Sequence, residues 1–211
     1  MERYETEEQQ VEAIKRFWKE NGSALVVGAV LGLGGLYGWR YYNESKIEAR
    51  EVASVAFEKA EKELLKNEKG FAAAQAYITE HGDTGYAYLM ALQLAQQAIE
   101  RKDLAEASKH LAFVVEQAQM SAVQAIASIR LARVQLEQGQ FEQALQSVEK
   151  VSDEAFKGQT QEVKGDVYVA QQLFDKARAA YSAALEKNTN DRVLKMKLDS
   201  LASMTVAAAN G

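Results

Sequence analysis

The chain of 211 residues contains neither cysteine nor proline. Without cysteine there is no disulfide, no thiol nucleophile and no thiolate metal ligand, a condition that suits either side of a bacterial inner membrane. Without proline nothing forces a break inside a helix, so glycine, asparagine and aspartate are expected to punctuate the chain. Histidine occurs twice, as His81 and His110. His81 falls in the turn-like run EHGD and His110 in a helical stretch; both read as solvated or merely structural, since a metal site needs clustered ligands. A basic excess is also missing. Lys and Arg number 25 against 30 Asp and Glu, a net charge of −5, whereas nucleic-acid binding normally needs a basic face. No G-x-S-x-G, Walker or H-E-x-x-H pattern occurs. The carboxylates are spread along predicted helix faces, where solvation and i,i+4 pairing with lysine are their usual role. No catalytic residue, cofactor or metal is therefore expected, and the chain reads as a non-enzyme.

One stretch is charge-free. From Asn21 to Trp39, between Glu20 and Arg40, the sequence runs NGSALVVGAVLGLGGLYGW. A helix of roughly 20 apolar residues crosses the hydrocarbon core of a bilayer, and this one is apolar nearly all the way round. Phe17 and Trp18 on one side, and Tyr37, Trp39, Tyr41 and Tyr42 on the other, suit the headgroup level. Lys15, Arg16, Lys19 and Arg40 can lay their stems along lipid and keep their charges in water. A cleaved signal peptide would have a short basic start and a small-x-small cleavage site. Here the preceding residues are rich in Glu and the segment closes in WRYYNES, which fits an uncleaved anchor. The expected division is an N-terminal tail over 1–20, a transmembrane anchor over 21–42 and a repeat domain over 43–211. Arg3, Lys15, Arg16 and Lys19 balance Arg40, Lys46, Arg50 and Lys59, so the positive-inside rule is nearly silent; the tight cluster at 15–19 tilts the N-terminus towards the cytoplasm. Gly28 with Gly32, and Gly34 with Gly38, form two GxxxG spacings. Such faces let helices approach closely in lipid, although glycine is also common in membrane helices at large.

Beyond the anchor the chain is rich in helix-forming Ala, Gln, Glu, Leu and Lys and it repeats. FAAAQAYI from Phe71, LAEASKHL from Leu104, FEQALQSV from Phe141 and FDKARAAY from Phe174 align. Each opens on a large apolar residue. Three residues on comes Ala74, Ala107, Ala144 or Ala177, and four further Ile78, Leu111, Val148 or Tyr181. The starts are 33, 37 and 33 residues apart, and the longer gap includes the polar run EQAQMS after Val115. Small residues also stand twelve positions before the last three alanines, at Ala95, Ala132 and Gly165; closely packed helices need a small residue at the contact. Two antiparallel helices in about 34 residues, with this pattern on the second, describe a tetratricopeptide repeat. The first unit is degenerate, with Lys62 where a small residue is wanted. Gly139, in EQGQFEQAL, marks a turn between helices. The expected fold is all-α: a single N-terminal transmembrane helix followed by a tetratricopeptide-like α-solenoid. Four helix pairs are expected near 51–80, 86–115, 122–151 and 159–188. A C-terminal capping helix over 190–204 would cover the stack with Val193, Leu194, Leu198 and Leu201. Residues 44–66 either continue the membrane helix or break from it near Asn43. An irregular helical bundle is the competing architecture.

Repeat proteins use their concave side for extended contacts. The repeat frame puts Leu92, Gln96, Ile129, Arg133, Glu162 and Asp166 on the inner helices, apolar early and charged later. That lining suits a peptide or protein segment better than a small metabolite; a passive solvated groove is the plainer alternative.

The run EEQQVEAIKRFWKENG, the Gly-rich anchor, WRYY and later LARVQLEQGQ together resemble the ancillary SecYEG translocon subunit family, over essentially the whole chain. The resemblance implies a single-pass protein of the bacterial inner membrane with a cytoplasmic N-terminus and a periplasmic repeat domain. It implies association with the SecYEG translocon and with a membrane-anchored periplasmic chaperone of prolyl-isomerase type, and a role in passing newly translocated, still unfolded client chains to folding factors. It supplies no catalytic residue. A structural scaffold for an envelope assembly, without client binding, is the alternative of a different class.

Overall fold

A computed structural model describes residues 7–66, 69–82 and 84–209. Arg3, counted above in the tail, and Asp83, in the predicted EHGD turn, lie outside them. The described residues form nine α-helices and one short 3-10 turn. The chain divides into two compact units, Met1–Val52 and Ala53–Gly211.

Helix α1 (Glu7–Lys66) supplies the described part of the first unit and the start of the second, and passes Asn43 without a turn. Its most apolar 18-residue window has a mean hydropathy of 1.4, and only 6% of that window is buried. A core helix of a soluble protein would meet the same length and composition but would be covered. Here Val26, Val30, Leu33, Leu36 and Trp39 all stand exposed. The segment is long and apolar enough to cross a membrane. Just past it the charges pair locally, Arg40 Nε donating to Glu44 at 2.9 Å and Lys46 Nζ lying 4.6 Å from the Tyr42 ring centre.

The second unit stacks helices in pairs. The end of α1 pairs with α2 (Lys69–His81), α3 (Gly85–Glu100) with α4 (Leu104–Gln117), α5 (Ser121–Glu137) with α6 (Phe141–Glu149), and α7 (Lys157–Ala170) with α8 (Phe174–Lys187); α9 (Arg192–Ala209) follows. The four repeat alanines, Ala74, Ala107, Ala144 and Ala177, have no exposed surface at all. Each lies where the second helix of a pair comes closest to its neighbours. The residue four further on fills the space opposite the small residue of the inner helix. Leu111 shares a core with Ala95, and Val148 with Ala132. In the last pair the filler is Tyr181, and there the small residue is Gly165: a Cβ at that glycine would run into the Tyr181 ring. Ring and glycine are a matched exchange of volume.

The inner and outer helices of the last three pairs join by one turn used three times. Lys102, Gly139 and Gln172 each take a left-handed conformation, with φ of 63°, 75° and 60°. The next amide reaches five residues back: Asp103 N to Ala98 O at 2.8 Å, Gln140 N to Gln135 O at 2.8 Å and Leu173 N to Tyr168 O at 2.8 Å. This closes the helix end. Glycine, asparagine and aspartate were expected to do such punctuation; two of the three turns use a lysine and a glutamine instead, in a conformation that disfavours side chains with a Cβ.

Three expectations shift in detail. In the α1 part of the first pair Lys62 is exposed, and Ala53, Ala60 and Leu64 are buried. The Tyr77 hydroxyl donates to the Ala53 carbonyl at 2.9 Å. The helix is turned relative to the repeat frame, so the small contact lies at Ala60. The extra length of the long spacing goes mostly into helix: α5 has 17 residues where α7 has 14. In α9, capped by Asp191 Oδ1 accepting from Val193 N and Leu194 N, Leu194 and Leu201 are buried and Leu198 packs beside them. Val193 turns outward, because it lies one residue off their stripe.

His110 is buried on α4, with the Phe71 ring edge-on at 5.8 Å between centres. Its Nε2 lies 3.1 Å from Glu106 Oε1, out of line for a hydrogen bond. Burial holds its pKa below the usual histidine value, outweighing the pull of Glu106 in the other direction.

Two outcomes are expected. Gly165→Ala should destabilise the protein by about 1–3 kcal/mol through overpacking, and adding Tyr181→Leu should return at least half of that in chemical denaturation. Because the unfolded chain binds the His110 proton before the folded one does, stability should fall as pH drops below about 6.5 towards the lowered folded value. The contribution is at most about 1.4 kcal/mol per pH unit. Urea melts in detergent at pH 7.5 and 5.5 should show a smaller acid loss for His110→Phe; an equal loss would refute the assignment.

Candidate protein-binding face

The exposed sides of the inner helices form one row, tied across by polar bonds. Gln93 Nε2 on α3 donates to Glu61 Oε1 on α1 at 2.6 Å. Arg133 on α5 lies 3.7 Å from Glu162 on α7. Lys197 on α9 donates to Glu162 Oε1 at 2.8 Å and to Asp166 Oδ1 and Oδ2 at 2.7 and 2.9 Å. Asp166 also accepts from the Tyr181 hydroxyl at 2.6 Å. Inner helices adjacent in the stack thus bring side chains some thirty residues apart into contact.

The charges at the α7–α9 end are mutually satisfied. Burial alone would lower the pKa of Lys197, but Asp166 and Glu162 outweigh it and hold the ammonium above its ordinary value. Burial and the bond to Asp166 push the Tyr181 hydroxyl well up, so it stays a donor.

The six predicted lining residues are distributed unequally. Gln96 and Arg133 are exposed and Leu92 is half-buried. Glu162 and Asp166 face the same side, half-buried under Lys197. Ile129 is a correction: it is 3% exposed, in the core with Ala132, Val163 and Val167, and is closed to a ligand. Its place on the surface is taken by Ile126, three residues earlier, and by Arg130. Leu89, 37 residues before Ile126, is exposed in the same way. Sequence reasoning missed Leu89, Ile126, Arg130 and Lys197. Carrying the 33-residue frame past Asp166 reaches 199, two residues from Lys197, so the last of these was within reach.

Along α1, a Cβ at Gly28, Gly32, Gly34 or Gly38 would meet no neighbouring residue. At about 100° per residue, Gly28, Gly32 and Gly35 share one face, and Gly34 with Gly38 lies about 120° round from it. The two spacings are therefore two faces, and Gly35 belongs with the first. Among the described residues no three His, Asp or Glu side chains converge as metal ligands.

Residues 15–203 match the tetratricopeptide repeat-like domain family. An ancillary SecYEG translocon subunit of Escherichia coli (strain K12) is 32% identical over 205 residues, spanning 95% of this chain and 99% of that protein. The chain belongs to the ancillary SecYEG translocon subunit family. Other members agree at similar distance. The protein of that name from Neisseria gonorrhoeae (strain ATCC 700825 / FA 1090) is 33% identical over 205 residues, 92% of this chain and 97% of the other. That of Haemophilus influenzae (strain ATCC 51907 / DSM 11121 / KW20 / Rd) is 29% identical over 198 residues, again 92% and 97%. The family match reaches from residue 15, before the apolar span, to residue 203 in the capping helix.

Removing the cation of the ladder should be costly. Lys197→Met leaves two partly buried carboxylates facing each other, at an expected cost of about 1–3 kcal/mol. Lys197→Met combined with Asp166→Asn should cost clearly less than the sum of the two single changes in a denaturation cycle; additivity would show that the ladder is unimportant.

Proposed function

We propose that the protein is an adaptor at the Sec translocon: α1 anchors it in the bacterial inner membrane beside SecYEG, and the inner face of the repeats holds polypeptide. The observation that carries this reading is an uncovered apolar span on the same chain as a contiguous row of inner helices with side chains free to be touched. The family name supports the translocon as neighbour. The N-terminus lies in the cytoplasm and the repeats in the periplasm. There the held polypeptide is a newly translocated client, or a membrane-anchored chaperone of prolyl-isomerase type that receives it. The glycine faces of α1 are the contact with neighbouring membrane helices, since close backbone approach is what small residues permit in lipid. The role is binding rather than catalysis.

Two measurements on the full-length protein in membranes test this. Gly28→Leu with Gly32→Leu should lower recovery of the translocon in co-purification several-fold, and unchanged recovery counts against the docking face. A photo-crosslinker at Gln96 should trap many translocated chains; a single fixed product would favour the scaffold reading, and none would defeat the adaptor.

A further inference from the structure

The inner face has two chemically different sections. Over α7 and α9 the ionic groups are spoken for, Lys197 taking both Glu162 and Asp166. Over α3 and α5 they are only partly so. Leu89 and Ile126 occupy one position on successive inner helices and are 50% and 36% exposed, with half-buried Leu92 near Leu89 on α3. Ile126, Arg130 and Arg133 follow at i, i+4 and i+7, hence on one face of α5. Arg130 has no ion pair or hydrogen bond among the described residues. The nearest carboxylate to Arg133, Glu162 at 3.7 Å, is already bonded to Lys197 at 2.8 Å. Glu137, one turn beyond, pairs with neither arginine. On α3 the neighbouring Gln96 amide is turned to Glu100 at 3.2 Å. Among the described residues one guanidinium, Arg130, thus stands unpaired, and a second, Arg133, only shares Glu162 with Lys197, on the same stretch of the inner face as exposed leucine and isoleucine.

Guanidinium is weakly hydrated and planar, and it pairs with carboxylate through two parallel bonds. Exposed aliphatic side chains gain by covering one another. The ligand that answers both is a polypeptide segment with apolar residues and a nearby Asp or Glu. We propose that the α3–α5 section is the ligand-binding part of the inner face and that it selects apolar segments carrying a carboxylate, received by Arg130 and Arg133. This rests on the adaptor reading and adds to it the chemical class of the ligand. The α7–α9 section, closed by its own lysine, terminates the binding surface.

The test uses the full-length protein in nanodiscs and two labelled peptides of identical apolar sequence, one with two Glu and the other with two Lys, followed by fluorescence anisotropy. The Glu peptide should bind tighter by about tenfold at low salt, with the gap narrowing as salt screens the pairs. Arg130→Gln with Arg133→Gln should abolish the gap by weakening the Glu peptide alone. Arg130→Glu should reverse the preference. Leu89→Ser should weaken both peptides. Circular dichroism checks that each variant is folded. Equal affinities, a preference for the Lys peptide, a gap indifferent to the arginines, or no binding of either peptide would overturn the proposal. Crosslinks from Gln96 to translocated chains without any charge preference would sink this inference and leave the adaptor standing; absence of those crosslinks would sink the adaptor itself.

Discussion

The repeat domain depends on one steric exchange: a small residue where two helices cross, and a larger one filling the space beside it. Interiors pack at near-crystalline density, so the volumes on the two sides must add up. Ala95 opposite Leu111 and Ala132 opposite Val148 solve this one way. Gly165 opposite Tyr181 solves it another way, giving up a methyl group to admit a ring. The larger filler also brings a hydroxyl, and that hydroxyl reaches Asp166 on the inner face. A packing choice in the core therefore sets a polar contact at the surface.

The close crossings place the inner helices side by side, and that adjacency turns separate amphipathic helices into one surface. Glu61 meets Gln93, Arg133 approaches Glu162, and Lys197 closes over Glu162 and Asp166. Such pairs contribute modestly to stability where solvent reaches them. Their larger consequence is chemical: they decide which groups on the face are still available. The α7–α9 end has its charges paired, whereas the α3–α5 end keeps Arg130 unpaired among the described residues beside exposed aliphatic side chains.

The N-terminal apolar span is suited to a different solvent. In water its exposed valines, leucines and tryptophan would cost free energy at every turn; in lipid they cost nothing, and the helix satisfies its own backbone. Glycine, a poor helix former in water, is tolerable there. The same residue thus has two meanings in this chain: close approach within a solenoid at Gly165 and an open face at Gly28, Gly32 and Gly35.

Periodicity alone determined much of this protein. A charge-free run of membrane length, alanines at a recurring spacing and alternating helix and turn were enough to mark an apolar helix long enough to span a membrane, the four pairs and the capping helix. What periodicity does not carry is rotational phase. A shift of one residue turns a helical position by about 100°, so the frame that put Ile129 on the surface failed there and Ile126 takes that place, while in the first repeat, degenerate at Lys62, the small contact falls at Ala60. Turn chemistry was also hidden, since Lys102 and Gln172 adopt a left-handed conformation that only the surrounding hydrogen bonds impose. The joining of Lys197 to Glu162 and Asp166 arises from stacking, which brings residues more than thirty positions apart within bonding distance. The sequence by itself determined which helices exist and in what order; only the tertiary structure decided which side of each faces out, because that angle is settled by the volumes its neighbours leave free.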